Sequence, residues 1–159
     1  MMNHFETIKT LLGELNISHE IFSHPKFSST EEALSFGNGV SEKTAIKSLF
    51  FSYGTEYVLV LMRVCDKLDK EKLKALLGTT EKIQFASPEK MLELTGCEVG
   101  TVSPFCGLTN TLKTICDTNV ELEDVMFCTP GVFTSTLKMP VKDFLGIVKP
   151  PMADVRVIS

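Results

Sequence analysis

Thr44-Ala45-Ile46-Lys47-Ser48-Leu49-Phe50-Phe51-Ser52-Tyr53-Gly54-Thr55-Glu56-Tyr57-Val58-Leu59-Val60-Leu61-Met62-Arg63 is the stretch from which the fold follows. Its two apolar runs, Thr44–Tyr53 and Glu56–Arg63, flank Gly54-Thr55. Two such runs around a two-residue glycine turn predict an antiparallel hairpin. The second run is almost wholly apolar from Tyr57 to Met62, the pattern of a strand covered on both faces. In the first strand, alternation puts Ala45, Lys47, Leu49 and Phe51 on one face and Ile46, Ser48 and Phe50 on the other. Lys47 is thus a cation on an apolar face. It either snorkels its ammonium to an edge or lines a cleft that receives an anionic substrate, and the pattern leaves both open.

Working outward, Phe5, Ile8, Leu11, Leu12 and Leu15 give residues 3–15 a helical apolar stripe. His19–Ser23 reads as a short strand, broken by His24-Pro25. Ser29 and Glu32 have capping-box spacing and start a short helix that ends near Phe36-Gly37-Asn38-Gly39. Asp69–Leu77 is a helix with Asp69 at its N-cap and Gly78 just past its end. Lys82–Ala86 is a short strand, and Ser87-Pro88-Glu89 opens a helix that Gly96 stops. Lys113–Asp117, Asp124–Cys128 and Val132–Lys138 are strands, the last two forming a second hairpin around Pro130-Gly131. Pro140–Leu145 is a short helix. The expectation is one α/β (mixed α+β) domain over residues 1–159, with a mixed, mostly antiparallel sheet built on hairpins and flanked by helices. Residues 149–159 are expected as a loose tail, in which Val155–Ile158 is a candidate edge strand.

The chain of 159 residues is 43% hydrophobic and 23% charged, which suits a globular domain with a real core. No apolar run is long enough to span a bilayer, and the start lacks a signal-peptide pattern, so a cytoplasmic location is expected. A net charge of −4 argues against non-specific coating of nucleic acid and leaves open a local contact with one RNA end. Lys67, Lys70, Lys72 and Lys74 cluster on or near one helix, the pattern of a solvated face. The five cysteines form no Cys-x-x-Cys pair, and His4, His19 and His24 lie far in sequence from all of them. Reduced, mostly buried thiols and no metal or other cofactor are therefore expected.

Gly96-Cys97-Glu98-Val99-Gly100-Thr101-Val102-Ser103-Pro104-Phe105-Cys106-Gly107 has neither helical nor strand periodicity. Three glycines in so short a span suggest backbone placed where side chains would obstruct. Such a loop either connects helix to strand or works as a site through its N–H groups. The chain has no Walker A loop, Gly-x-Gly-x-x-Gly, Gly-x-Ser-x-Gly or His-Glu-x-x-His. Cys106 beside the loop would be the nucleophile of a general esterase, against the commoner reading of a buried, inert thiol.

Taken in order, Thr44-Ala45-Ile46-Lys47-Ser48-Leu49, Asp66-Lys67-Leu68-Asp69, Phe85-Ala86-Ser87-Pro88-Glu89 and Gly100-Thr101-Val102-Ser103-Pro104-Phe105 resemble the YbaK/prolyl-tRNA synthetase-associated domain family. The resemblance runs from Thr30-Glu31-Glu32-Ala33 to Asp143-Phe144-Leu145. It implies a curved sheet and trans-editing deacylation of an amino acid wrongly esterified to the 3′ end of a tRNA, most readily alanine or cysteine on the tRNA for proline. Lys47 would engage the terminal phosphate, and Gly100, with Thr101, Val102, Ser103, Pro104 and Phe105, would hold the ester carbonyl. His24, Phe27, Thr30, Met62 and Val102 would wall the amino-acid pocket, with core packing the competing reading for Phe27 and Met62. Pro130, Gly131 and Thr134 would shape the second hairpin's turn. There the sequence departs from the family's His-Pro-Gly-x-Asn-Thr, with Thr129 for the histidine and Phe133 for the asparagine. The implied partners are the tRNA acceptor end and prolyl-tRNA synthetase or a multi-synthetase complex. A non-catalytic module docking on a synthetase or tRNA is the alternative.

Overall fold

The computed structural model describes residues 3–158. In chain order it runs helix α1 (His4–Glu14), strand β1 (Glu20–Ser23), helix α2 (Thr30–Leu34), strands β2 (Ile46–Tyr53) and β3 (Glu56–Arg63), helix α3 (Lys70–Leu77), strand β4 (Ile83–Phe85) and helix α4 (Pro88–Thr95). There follow the one-turn helix α5 (Cys106–Thr109), strand β5 (Thr114–Asp117), strands β6 (Val125–Cys128) and β7 (Ser135–Pro140), helix α6 (Val141–Val148) and strand β8 (Met152–Ala153).

The first hairpin has the register its turn demands, from Tyr53 opposite Glu56 at the tip to Ile46 opposite Arg63 at the open end. It forms the middle of a five-stranded sheet in the order β4-β2-β3-β5-β8. A three-stranded antiparallel sheet, β1-β7-β6, holds the second hairpin. Among the described strand pairs, β3–β5 and β5–β8 run parallel and the others antiparallel, so strand pairing is mixed and mostly antiparallel, as expected. The strands are divided between two sheets, which Ala45 links by a bridge to Phe127, whose N–H donates to the Thr44 carbonyl at 2.9 Å.

The five-stranded sheet is covered on both faces, which explains the unbroken apolar run of β3. Phe50, Leu59 and Leu61 point into a core shared with α1, α4, α6 and the inner face of the smaller sheet. Phe51, Val58, Val60 and Met62 point into a second core closed by Leu73 of α3 and Val155 of the tail.

The helix ends follow their capping residues. Asp69 accepts from the N–H groups of Glu71 and Lys72, and Gly78 closes α3 in the left-handed region. Ser87 caps α4, with Pro88 in its first turn. Ser29 caps α2 through the Glu32 N–H, but the Glu32 carboxylate reaches Ser28 rather than Ser29.

Three expectations need correction. The tail is held, not loose, over residues 149–158: β8 pairs with β5, Val155 is fully buried, and the Val157 N–H donates to the Lys67 carbonyl at 2.7 Å. Ser159 lies outside the described residues. The candidate edge strand Val155–Ile158 shrinks to one bridge between Arg156 and Leu68. The strand expected from Val132 begins at Ser135, because the preceding residues are taken up by a turn. Among the described residues, no helix is long and apolar enough to cross a membrane.

Candidate active site

A cavity of about 380 Å³ opens between the segment after β1 and the turn joining β6 to β7. That volume falls near the lower end of small-molecule sites, roughly 300–1,000 Å³. His24, Phe27, Thr30 and Phe36 form one side. Gly100, Thr129 and Phe133 form another, and Ala45 and Val64 contribute where the hairpin opens. Among the described lining residues, Phe127, Cys128 and Ser135 are buried, and the rest of the wall lies outside the packed interior.

Proline at 25 and the cap at Ser29 fold the segment after β1 back on itself, which stacks its rings. His24 lies on Phe27 with centroids 4.1 Å apart, and Phe36 meets both edge-on. His24 Nδ1 faces the Pro25 carbonyl at 2.9 Å, and a carbonyl only accepts, so that nitrogen carries the proton. Nε2 then accepts from the Thr136 hydroxyl at 2.8 Å. With both nitrogens engaged, His24 is a fixed wall.

The glycine-rich stretch divides its three glycines among three tasks. Gly96 ends α4. Gly100 is the third residue of a turn closed by the Thr101 N–H on the Glu98 carbonyl at 2.9 Å, and its φ of +91° is the value a type II turn requires there. Gly107 lies so close to Thr114 that any Cβ would overlap the Thr114 hydroxyl. A Cβ built on Gly100 would come within 3.2 Å of the Phe133 ring. Among the described residues, the N–H groups of Gly100 and Val102 have no protein acceptor, whereas the Ser103 N–H is spent on the buried Cys97 and Cys106 thiols. The side chains of Val102 and Phe105 go into the main core, and Ser103 is buried with its hydroxyl accepting from the Phe105 N–H. Gly100 thus presents backbone to the cavity, while the side chains of Val102, Ser103 and Phe105 go into the interior.

The other expected site residues fall into two groups. Thr134 is exposed, and its carbonyl accepts from the His24 N–H at 2.9 Å. Pro130 is buried, and Gly131 abuts His4; their turn is held by the Thr129 hydroxyl, which accepts from the Gly131 N–H. Lys47 and Met62 stand opposite each other in the hairpin, two residues along from Ala45, and neither lines the cavity. Met62 is core. The Lys47 ammonium snorkels to the carbonyl of Asp66. Burial pushes its pKa below the usual lysine range, against the opposing pull of Asp66.

Sequence reasoning missed Phe36, Thr136 and Lys26, whose ammonium stands 4.2 Å over the Phe133 ring. The Phe36-Gly37 pair read only as a helix stop, and Thr136 carried no signal without the pairing of β1 with β7. Cys106 lies outside the cavity, wholly buried, and its thiol is held protonated by its hydrogen bond with Cys97 and by burial. Those are poor conditions for a nucleophile.

Residues 24–147 match the model of the aminoacyl-tRNA editing domain. The chain belongs to that family. This editing domain is 35% identical over 102 residues to the proline–tRNA ligase of Thermosipho melanesiensis, a match covering 64% of the chain and 17% of the ligase. It is 43% identical over 65 residues to the ligase of Halalkalibacterium halodurans, covering 41% of the chain and 11% of that protein. The chain therefore spans less than a fifth of these ligases. It is 27% identical over 139 residues to the uncharacterised protein YwhH of Bacillus subtilis, covering 87% of each. The editing domain's fold superposes with a TM-score of 0.83 on a solved structure described as a candidate trans-editing enzyme for prolyl tRNA synthetase, at 21% identity and 99% coverage of both chains.

Proposed function

We propose that residues 1–159 act as one editing domain that hydrolyses, in trans, the ester between a small amino acid, alanine or cysteine, and the 3′ end of the tRNA for proline. The observation that carries this reading is Gly100 at positive φ in the cavity wall, in a loop whose Gly100 and Val102 N–H groups have no protein acceptor among the described residues. Backbone donors aimed at a carbonyl oxygen stabilise it as it becomes an oxyanion, each worth roughly 3 kcal/mol. Water attacks the ester with help from the substrate's own ribose hydroxyl, so the protein's task is to hold and polarise. Lys47 exchanges the Asp66 carbonyl for the terminal phosphate and orients the ester. The need for such an activity follows from size. A synthetase pocket shaped for proline rejects a residue smaller by one methylene by only about 1–3 kcal/mol. The likeness in fold to the solved structure described as a candidate trans-editing enzyme for prolyl tRNA synthetase supports action in trans.

The test is a panel of alanyl-, cysteinyl-, seryl- and prolyl-tRNA with the proline anticodon, followed for ester loss. Alanyl or cysteinyl ester should be cleared and prolyl ester spared, with Lys47→Ala abolishing the activity. No acceleration over buffer for any substrate would sink the deacylase. Retained tRNA or synthetase binding in that case would select the non-catalytic module, the reading favoured by Phe133 closing on Gly100.

A further inference from the structure

The separation in sequence that argued against a metal site is closed by the fold. His4 opens α1, Cys97 follows the glycine stop of α4, and Cys106 opens α5. Their ligand atoms lie within 4.8 Å of one another. Cys97 Sγ and Cys106 Sγ are 3.8 Å apart, and Cys106 Sγ is 3.7 Å from His4 Nε2. Two thiolates bound to one tetrahedral zinc, each at about 2.3 Å, stand about 3.8 Å apart, and a thiolate and an imidazole nitrogen about 3.6 Å. The spacing is that of a coordination shell, whereas a disulfide would need the sulfurs to close to about 2.05 Å.

A second, independent feature sets the imidazole's protonation. His4 Nδ1 lies 3.4 Å from the Thr109 hydroxyl. That oxygen directs its own proton to Asn110 or the Phe105 carbonyl, at 2.7 and 3.2 Å, and so accepts from Nδ1–H. The Nε2 lone pair is left facing the sulfurs, the outer-sphere arrangement that ligating histidines use. Two backbone features hold the ligands in place. The Cys97 N–H is anchored on the Thr95 hydroxyl at 3.0 Å. Gly131 leaves room for the ring, since a Cβ there would stand 2.8 Å from His4 Cδ2.

We propose that His4, Cys97 and Cys106 form a binding site for a thiophilic metal ion of the zinc class. On binding, each cysteine gives its proton to solvent and His4 coordinates through neutral Nε2. Three protein ligands leave a fourth position for an exogenous ligand. None of the three lines the editing cavity, but the two cysteines bracket residues 98–105, so the ion fixes both ends of the loop that presents Gly100.

Cobalt(II) titrated into the whole protein in phosphine-reduced, anaerobic buffer tests this without reference to deacylation. The expected result is visible absorption of a tetrahedral, thiolate-bound ion that saturates at one equivalent and is discharged by one equivalent of zinc. Cys97→Ser should abolish it, and His4→Gln should weaken affinity by more than about 100-fold, beyond the effect of an outer-sphere change. Thr109→Val should weaken it about tenfold. Cys116→Ser, a buried cysteine outside the cluster, should change nothing. His4 is only half-buried, so His4→Gln carries the test if Cys97→Ser fails to fold, as circular dichroism would show. The site is overturned if wild-type protein takes up no cobalt at one equivalent, or if His4→Gln binds as tightly as wild type. A Cys97–Cys106 disulfide in protein purified without reductant, with no cobalt uptake after reduction, would assign the pair to redox chemistry and equally overturn it.

Discussion

At Gly100 the chain turns with φ +91° against the Phe133 ring, so a methyl group there meets backbone strain and a neighbour together. Gly100→Ala should fold and should slow ester hydrolysis by 10- to 100-fold, on the order of one misplaced oxyanion donor. Thr101→Ser should leave the rate within about twofold, because that residue contributes its N–H to the turn. Single-turnover rates with circular dichroism as a fold check would decide; full activity in Gly100→Ala would remove the loop from the mechanism. The sequence marked Gly100 because glycine spacing reports backbone geometry directly. It could not say where Lys47 points, since a strand's alternation names the face and leaves the reach of a long side chain open. The ammonium's choice of the Asp66 carbonyl depends on the turn after β3, three residues beyond the hairpin.

Elements with local start and stop signals were legible, and those defined by tertiary contact were not. Helix α3 shows the first case: Asp69 caps it through two N–H groups and Gly78 closes it. Asp69→Ala should lower stability by about 1 kcal/mol, read as a shift in urea midpoint with unchanged slope. Helix α5 shows the second. It spans four residues, has no side-chain cap and contains a glycine required by contact with Thr114, so nothing local announces it. The late start of β7 has the same origin. Val132 and Phe133 have strand propensity, yet both line the cavity ahead of the strand.

For the molecule as a whole, charge networks tie distant segments together. The fully buried Asp117 accepts from the Val155 N–H at 3.0 Å and from Arg156 Nη1 at 3.2 Å, which fastens the tail to the end of β5. Arg156→Met leaves that carboxylate without its cation and should cost about 2–3 kcal/mol in urea unfolding, at the low end for a broken buried pair because Arg156 is 25% exposed. On the same side, Arg63 joins Asp66 at 2.9 Å and Glu123 at 2.7 Å. Burial alone would raise the Asp66 carboxyl, but its hydrogen bond to Arg63 and that residue's charge outweigh it, and the pKa falls below the usual aspartate value. A carboxylate depressed on folding contributes stability above its unfolded pKa, about 3.9, and loses it as pH falls through the folded value. Urea unfolding at pH 7, 5, 4 and 3 should therefore show an acid decline that is shallower in Asp66→Asn; an identical slope would assign acid sensitivity to other carboxylates. The strand pattern gave no hint of this network, because Asp117, Glu123 and Arg156 lie far in sequence from Arg63 and Asp66.

Apart from Phe127, Cys128 and Ser135, the described residues of the cavity wall are not buried. Substitutions outside the packed interior usually move stability by no more than about 0.5 kcal/mol. A lineage carrying this fold can thus exchange those outer wall residues one at a time without passing through an unfolded ancestor. On the proposed editing function, amino-acid preference and foldability would be inherited on largely separate positions, with the half-buried Phe133 among those outside the core.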